Sequence, residues 1–104
     1  MSIVSPGQAL DPNAWGRQQI SSSTTETVDI SRCPRIEITA SGNTLSVKNQ
    51  RDNYELVVAN ISTGDAFLDF SIILQGTTFT SPVTMPAGDV YCLIWDQAQT
   101  AFRF

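Results

Sequence analysis

The chain has 104 residues, enough for one hydrophobic core and too few for two. Its formal net charge is −4, and its one lysine and five arginines are dispersed, which argues against the phosphate contacts that nucleic-acid binding requires. Charged residues make up 15% of the chain, below the roughly 25% of typical soluble domains, so the polar surface consists mostly of Ser, Thr, Asn and Gln. Such a surface favours permanent contacts with other proteins.

The start of the chain, MSIVSPGQALDP, has neither the basic nor the apolar region of a secretory signal. No apolar run approaches the roughly 18 residues of a membrane span. We therefore expect a protein that is made in the cytoplasm and has no membrane partner. Cys33 and Cys92 are the two cysteines, and in this setting we expect reduced thiols, with Cys92 as a small buried hydrophobe; a disulfide is the less favoured alternative.

Residues 1–26 differ in character from the rest of the chain. They contain prolines, glycines and a Ser/Thr run at 21–25, and their isolated apolar residues fit neither the helical nor the strand period. We predict an extended N-terminal arm at 1–26, with one possible helical turn at 11–15, followed by a β-sandwich domain at 27–104. The arm either folds back over its own domain or binds a neighbouring subunit through Leu10, Trp15 and Ile20.

Beyond residue 26 the chain alternates short apolar segments with turn residues. Strands are predicted at 27–30, 35–39, 44–48, 54–60, 67–74, 78–81, 90–96 and 101–104. The tight connection at 41–43 predicts a hairpin between 35–39 and 44–48, whose inner face would be formed by four aliphatic side chains, Ile36, Ile38, Leu45 and Val47. Pro82 indicates an edge or a strand end.

The segment 90–96, VYCLIWD, is apolar on both faces. Alternation directs three of its side chains to each side of the strand, so two layers of partners are required to cover it. Phe102 and Phe104 are expected to close the core beside it. Seven or eight short strands without a helical period predict an all-β fold, an antiparallel β-sandwich or jelly roll; an open barrel is the alternative.

The sequence contains no histidine, which removes the usual general base and most zinc sites. Carboxylate pairs for glycoside hydrolysis remain, namely Asp65 with Asp69 and Asp89 with Asp96. Asp65 and Asp89 each follow a glycine in a turn, where carboxylates ordinarily cap backbone groups. We therefore predict that the protein is not an enzyme and that it uses no cofactor.

Two ligand sites can be weighed against ordinary structural roles. A calcium site would have to combine Asp52, Asn53 and Asp65, whose spacing is not that of a known calcium loop. A sugar-binding platform would use Tyr91 and Trp95, which lie on the same side of one predicted strand; such a pair more often belongs to a core. We predict no metal site and core positions for the two aromatic residues.

The polar arm with its isolated Trp15, the compact β-body and the closing pattern PAGDVYCLIWD…AFRF within 85–104 together resemble small bacteriophage virion proteins, in particular capsid decoration (cement) proteins. Fibre and tail domains are similar in the same respects. The resemblance implies an accessory structural subunit, commonly a homotrimer, that binds the major capsid protein at lattice junctions in the virion. The alternatives are a phage fibre or tail β-domain and a carbohydrate-binding module.

Overall fold

The computed structural model describes residues 16–21 and 24–104, and this part of the chain is all-β. Most of its eleven strands are short runs rich in β-branched, aliphatic or aromatic residues, and turns separate them. They are β1 (Arg17–Ile20), β2 (Thr25–Asp29), β3 (Arg35–Ile38), β4 (Thr44–Lys48), β5 (Glu55–Asn60), β6 (Ala66–Leu68), β7 (Ile72–Leu74), β8 (Thr77–Phe79), β9 (Val83–Met85), β10 (Val90–Asp96) and β11 (Ala101–Arg103).

The described strands form two sheets that cover each other's apolar faces, so the predicted all-β sandwich is confirmed. Sheet A has seven strands in the order β1-β3-β5-β10-β11-β7-β8. Sheet B has four strands in the order β2-β4-β6-β9. Because sheet A is the wider layer, sheet B covers only part of its inner face.

The first six strands alternate between the two sheets and pair in parallel within each sheet. In sheet A, Arg17 is in register with Arg35, and Arg35 with Val57. The chain therefore winds as a flat coil, in which each turn contributes one strand to each sheet. Antiparallel pairing begins with the later strands, where β10 pairs with β5 and β11, β7 with β8, and β6 with β9.

Within the confirmed sandwich, the coil introduces parallel pairing where antiparallel strands were predicted, and it replaces the predicted hairpin. β3 belongs to sheet A and β4 to sheet B, and Gly42, with a φ of 75°, lies in the turn that carries the chain across. Ile36, Ile38 and Leu45 are all buried, as predicted, although they face one another from opposite layers. The alternation of apolar and polar residues predicts which face of a strand a side chain occupies, but it does not predict which strand lies beside it. A hairpin and an arch between sheets therefore have the same sequence pattern.

Two other predicted boundaries also change. The strand predicted at 67–74 is divided into β6 in sheet B and β7 in sheet A, because the chain crosses between the layers at 69–71. The segment around Pro82 precedes an additional strand, β9, which pairs with β6. Short arches between layers contain few turn residues, and the apolar run continues through them.

Part of the segment predicted as an arm, 1–26, belongs to the sheets. β1 pairs with β3 along its whole length, and β2 begins at Thr25, so both are part of the sheets. Ile20 is 2% exposed and packs in the core, which corrects its prediction as an anchor for a partner. Leu10 and Trp15 lie outside the described residues, and their predicted role stays a prediction. β1 has the sequence RQQI, with one apolar residue, so its strand character depends on backbone pairing.

The core lies between the two sheets and is centred on aromatic and aliphatic side chains. Phe102 is fully buried, and its ring centroid is 4.7 Å from that of Phe70 and 4.9 Å from that of Trp95. The other core members come from both layers and include Ile36, Ile38, Leu45, Leu56, Val58, Leu68, Ile72, Met85 and Leu93. Every turn of the coil thus contributes to one continuous core.

Asn60 is a fully buried amide at the end of β5 that joins the two layers. Its Nδ2 donates to the carbonyl oxygen of Met85 at 2.8 Å and to that of Gly64 at 3.0 Å. Its Oδ1 accepts from the backbone N–H of Ser62 at 3.1 Å and from the Ser62 hydroxyl at 2.6 Å. The side chain therefore satisfies backbone groups of both β9 and the turn after β5.

Candidate protein interaction surface

The predicted carboxylate pairs have local structural roles. Asp69 accepts hydrogen bonds from the hydroxyls of Ser46 and Ser81, both at 2.9 Å. Asp96 forms an ion pair with Arg103 at 3.7 Å, and Asp89 accepts from the Tyr91 hydroxyl at 3.3 Å. Asp69, Asp89 and Asp96 thus form local contacts at the surface and in turns.

The three residues considered for calcium are not brought together. Asp52 precedes β5 and accepts a hydrogen bond from the backbone N–H of Gln97, whereas Asp65 follows β5 and contacts the turn at Gly42. Among residues 16–21 and 24–104, no group of three or more His, Cys, Asp or Glu side chains is placed to hold a metal ion. The same residues include no helical segment with the length and hydrophobicity needed to cross a lipid bilayer.

Trp95 is a core residue, as predicted. It is 5% exposed, packs edge-on against Phe102, and its Nε1 donates to Oε1 of Gln97 at 2.7 Å. Tyr91 is half-buried on the same inner face of β10. A sugar-stacking platform formed by Tyr91 and Trp95 is therefore wrong, because the face they share is directed at sheet B.

The opposite face of β10 is the distinctive surface of the molecule. Val90 is 59% exposed, Cys92 is exposed and Ile94 is half-buried. On β5, the outward-facing Val57 is in register with Cys92, and Ala59 with Val90. Together these five residues form a contiguous apolar surface on the outer face of sheet A, which we call the outer patch: Val57, Ala59, Val90, Cys92 and Ile94.

The outer patch corrects two predictions. The strand at 90–96 was expected to have a covering layer on each face, whereas sheet B supplies one and nothing in the described residues supplies the other. Cys92 was expected to be buried, and it is exposed because it lies on the uncovered side. The sequence feature that could have predicted the outer patch is the presence of apolar residues on both faces of β5 and β10.

Charged side chains border the outer patch on both sides. Ile94 is in register with Glu55 on β5 and with Arg103 on β11, so one row carries an acid, an apolar residue and a base. Further out on the β5 side, Arg17 and Glu37 form an ion pair at 3.6 Å between β1 and β3. The patch thus has an apolar centre and a polar rim, which is the composition of a protein interface.

A second apolar surface lies between sheet A and β9, the edge strand of sheet B. This end groove, about 240 Å³ in volume, is lined by Ile72, Leu74, Phe79, Val83, Thr84, Tyr91 and Phe104. Phe104 is 47% exposed and contacts the Tyr91 ring at 5.3 Å, which corrects its predicted place in the core. Burial, followed by the negative charge of Asp89, raises the pKa of Tyr91 above its ordinary value.

Comparison with known proteins adds little to this geometry. No family model matches the sequence, and no curated protein matches it. Two chains of solved structures match. One of them, described as the structure of a chaperone-substrate complex, has a TM-score of 0.47 and 16% sequence identity; the alignment covers 80% of this chain and 14% of that chain.

Proposed function

We propose that this chain is a non-catalytic structural subunit of a virus particle, a capsid decoration subunit that binds neighbouring protein chains and stabilises the shell. The outer patch carries this proposal. A monomer leaves its apolar side chains in water, and the burial of a single exposed Val90 contributes up to about 1.5 kcal/mol. An exposed apolar surface with a charged rim favours association with another protein.

The stabilising mechanism is physical. A subunit that binds the assembled shell and not the separate shell proteins shifts the equilibrium towards the assembled form by mass action. Attachment at several points multiplies the effect of contacts that are individually weak. Residues 1–15, with Leu10 and Trp15 as predicted anchors, would supply a further attachment beyond the rigid body.

A fibre or tail β-domain is the second candidate, and the coil topology favours it. β1 and β2 begin the coil, and within the described residues each has a paired strand on one side only. Parallel edges of this kind accept an additional strand, from the preceding segment or from a neighbouring chain. Stacking further turns on the coil would extend the body along its axis, as a fibre requires.

Particle binding tests the proposal directly. Purified chain is added to virus shells that lack it, and the mixture is examined by co-sedimentation and by the temperature at which the shells release their contents. We expect saturable binding and a higher release temperature. Binding should weaken in Val90→Lys and persist in Thr27→Lys, which places the same charge at an exposed strand position of sheet B. Equal, unsaturable sedimentation of both variants would overturn the proposal.

A further inference from the structure

We propose that the outer patch is the contact between copies of this chain, arranged around a cyclic symmetry axis that runs beside β10. This inference rests on the proposed function as a binding subunit and names the partner of its main apolar surface. A second copy fits this surface because of the charge pattern, the shape of the patch and the area available.

The charge pattern is self-complementary. Glu55 is exposed on β5 and Arg103 is partly exposed on β11, one strand to either side of Ile94. In a cyclic assembly whose axis is parallel to β10, the β5 side of one copy meets the β11 side of the next copy. Each Glu55 therefore opposes the Arg103 of a neighbouring copy, and the charges pair across every interface.

The residues nearest such an axis are small or aliphatic. Val90, Cys92 and Ile94 are consecutive outward positions of β10, so their equivalents in other copies approach one another along the axis. No charged side chain lies among these three positions, and Asp96, the next outward position of β10, forms an ion pair with Arg103 of its own chain. Val57 and Ala59 extend the apolar contact by one strand.

The area is sufficient for a specific but reversible association. The seven strands of sheet A span about 29 Å at a spacing of ~4.8 Å, and a length of roughly 20 Å gives about 600 Å² for the whole outer face of each copy. The outer patch occupies two of these strands, β5 and β10, so the contact must extend onto the strands beside them. This value lies at the lower limit of specific protein interfaces. We therefore expect assembly that depends on protein concentration.

Arg103 already has a partner within its own chain. Its Nε lies 3.7 Å from Oδ2 of Asp96, and its side chain remains 44% exposed. The guanidinium has five donor N–H groups, so it can bind Asp96 and the Glu55 of a neighbouring copy together. The contact to Asp96 holds the side chain over the outer face before association.

Charge reversal tests the arrangement. Sedimentation velocity of the wild-type chain should show concentration-dependent dimers or trimers. Glu55→Arg and Arg103→Glu should each raise the dissociation constant at least tenfold, and the double variant should restore most of the affinity. Lys48→Glu, which reverses a charge on the outer face of sheet B, should associate like the wild type. A double variant as weak as the single variants would overturn the proposed pairing.

Cysteine cross-linking tests the contact in the wild-type chain itself. Mild oxidation should join wild-type chains through Cys92, Cys92→Ser should abolish the product, and Cys33→Ser should not, because Cys33 is 4% exposed. A wild-type chain that stays monomeric and uncross-linked at high concentration would overturn the inference. If that monomer still binds particles, the proposed function stands; stable oligomers that bind no particles contradict the function alone.

Discussion

Replacing Phe102 by alanine removes the ring that joins the aromatic cluster of the core. Phe102 is fully buried, and the substitution eliminates its ring contacts with both Phe70 and Trp95. Core Phe→Ala substitutions cost about 3–5 kcal/mol, and the loss of two aromatic pairs places this one near the upper end, at about 4–5 kcal/mol. At ~4 °C per kcal/mol, the melting temperature should fall by roughly 16–20 °C.

Phe104→Ala is the matched control for this prediction, because the same ring is removed two positions further along the chain. Phe104 is 47% exposed and has one ring contact, with Tyr91, so its loss should cost less than about 1.5 kcal/mol. Urea denaturation followed by circular dichroism measures both variants, and Phe102→Leu, expected at about 1–2 kcal/mol, replaces Phe102→Ala if the latter does not fold. Equal losses for the Phe102 and Phe104 variants would refute the placement of the two rings.

Three further predictions concern polar groups. Asn60→Ala should lower the free energy of unfolding by about 2–4 kcal/mol, because the buried carbonyl of Met85 loses its donor; a loss under about 1 kcal/mol in urea denaturation would contradict this. Hydrogen bonds from Ser31 lower the pKa of Asp29 below 3.8, so its contribution to stability is present above that pH and disappears as pH falls through the folded-state pKa. The stability difference between the wild type and Asp29→Asn should accordingly shrink in acid, and a constant difference would argue against it. Burial raises the pKa of Tyr91 above 10.0, so the fold loses stability as pH rises from about 10.0 through the raised pKa. The ultraviolet absorbance difference between the wild type and Tyr91→Phe should show a midpoint above 10.0, and one at or below it would count against the burial.

Hydrophobic alternation was a reliable guide to which side chains are buried. Ile36, Ile38 and Leu45 face the interior as predicted, and so does Trp95. Strand pairing was harder to predict from the sequence, because the short turn that joins β3 and β4 suits a hairpin as well as an arch. The choice depends on whether the next turn of the coil can pair in parallel, which is a property of distant residues.

The outer patch could be predicted only in part from the sequence. Both apolar faces of 90–96 were recognised, and the chain was expected to cover both, because a strand with two apolar faces is usually central. Sheet order shows that the inner face alone is covered by sheet B, so the second face became the outer patch. β1 was missed for the opposite reason: it has a single apolar residue, Ile20, and its position in sheet A depends on backbone pairing with β3.

The reactivity of Cys92 towards a water-soluble thiol reagent tests the central claim, that another protein chain covers the outer face of sheet A. Cys92 is exposed within the isolated chain, whereas Cys33 is buried and serves as the internal reference. We expect rapid labelling of Cys92 in dilute protein and strong protection at high concentration or on assembled particles. Equal labelling rates in all three states would contradict the account.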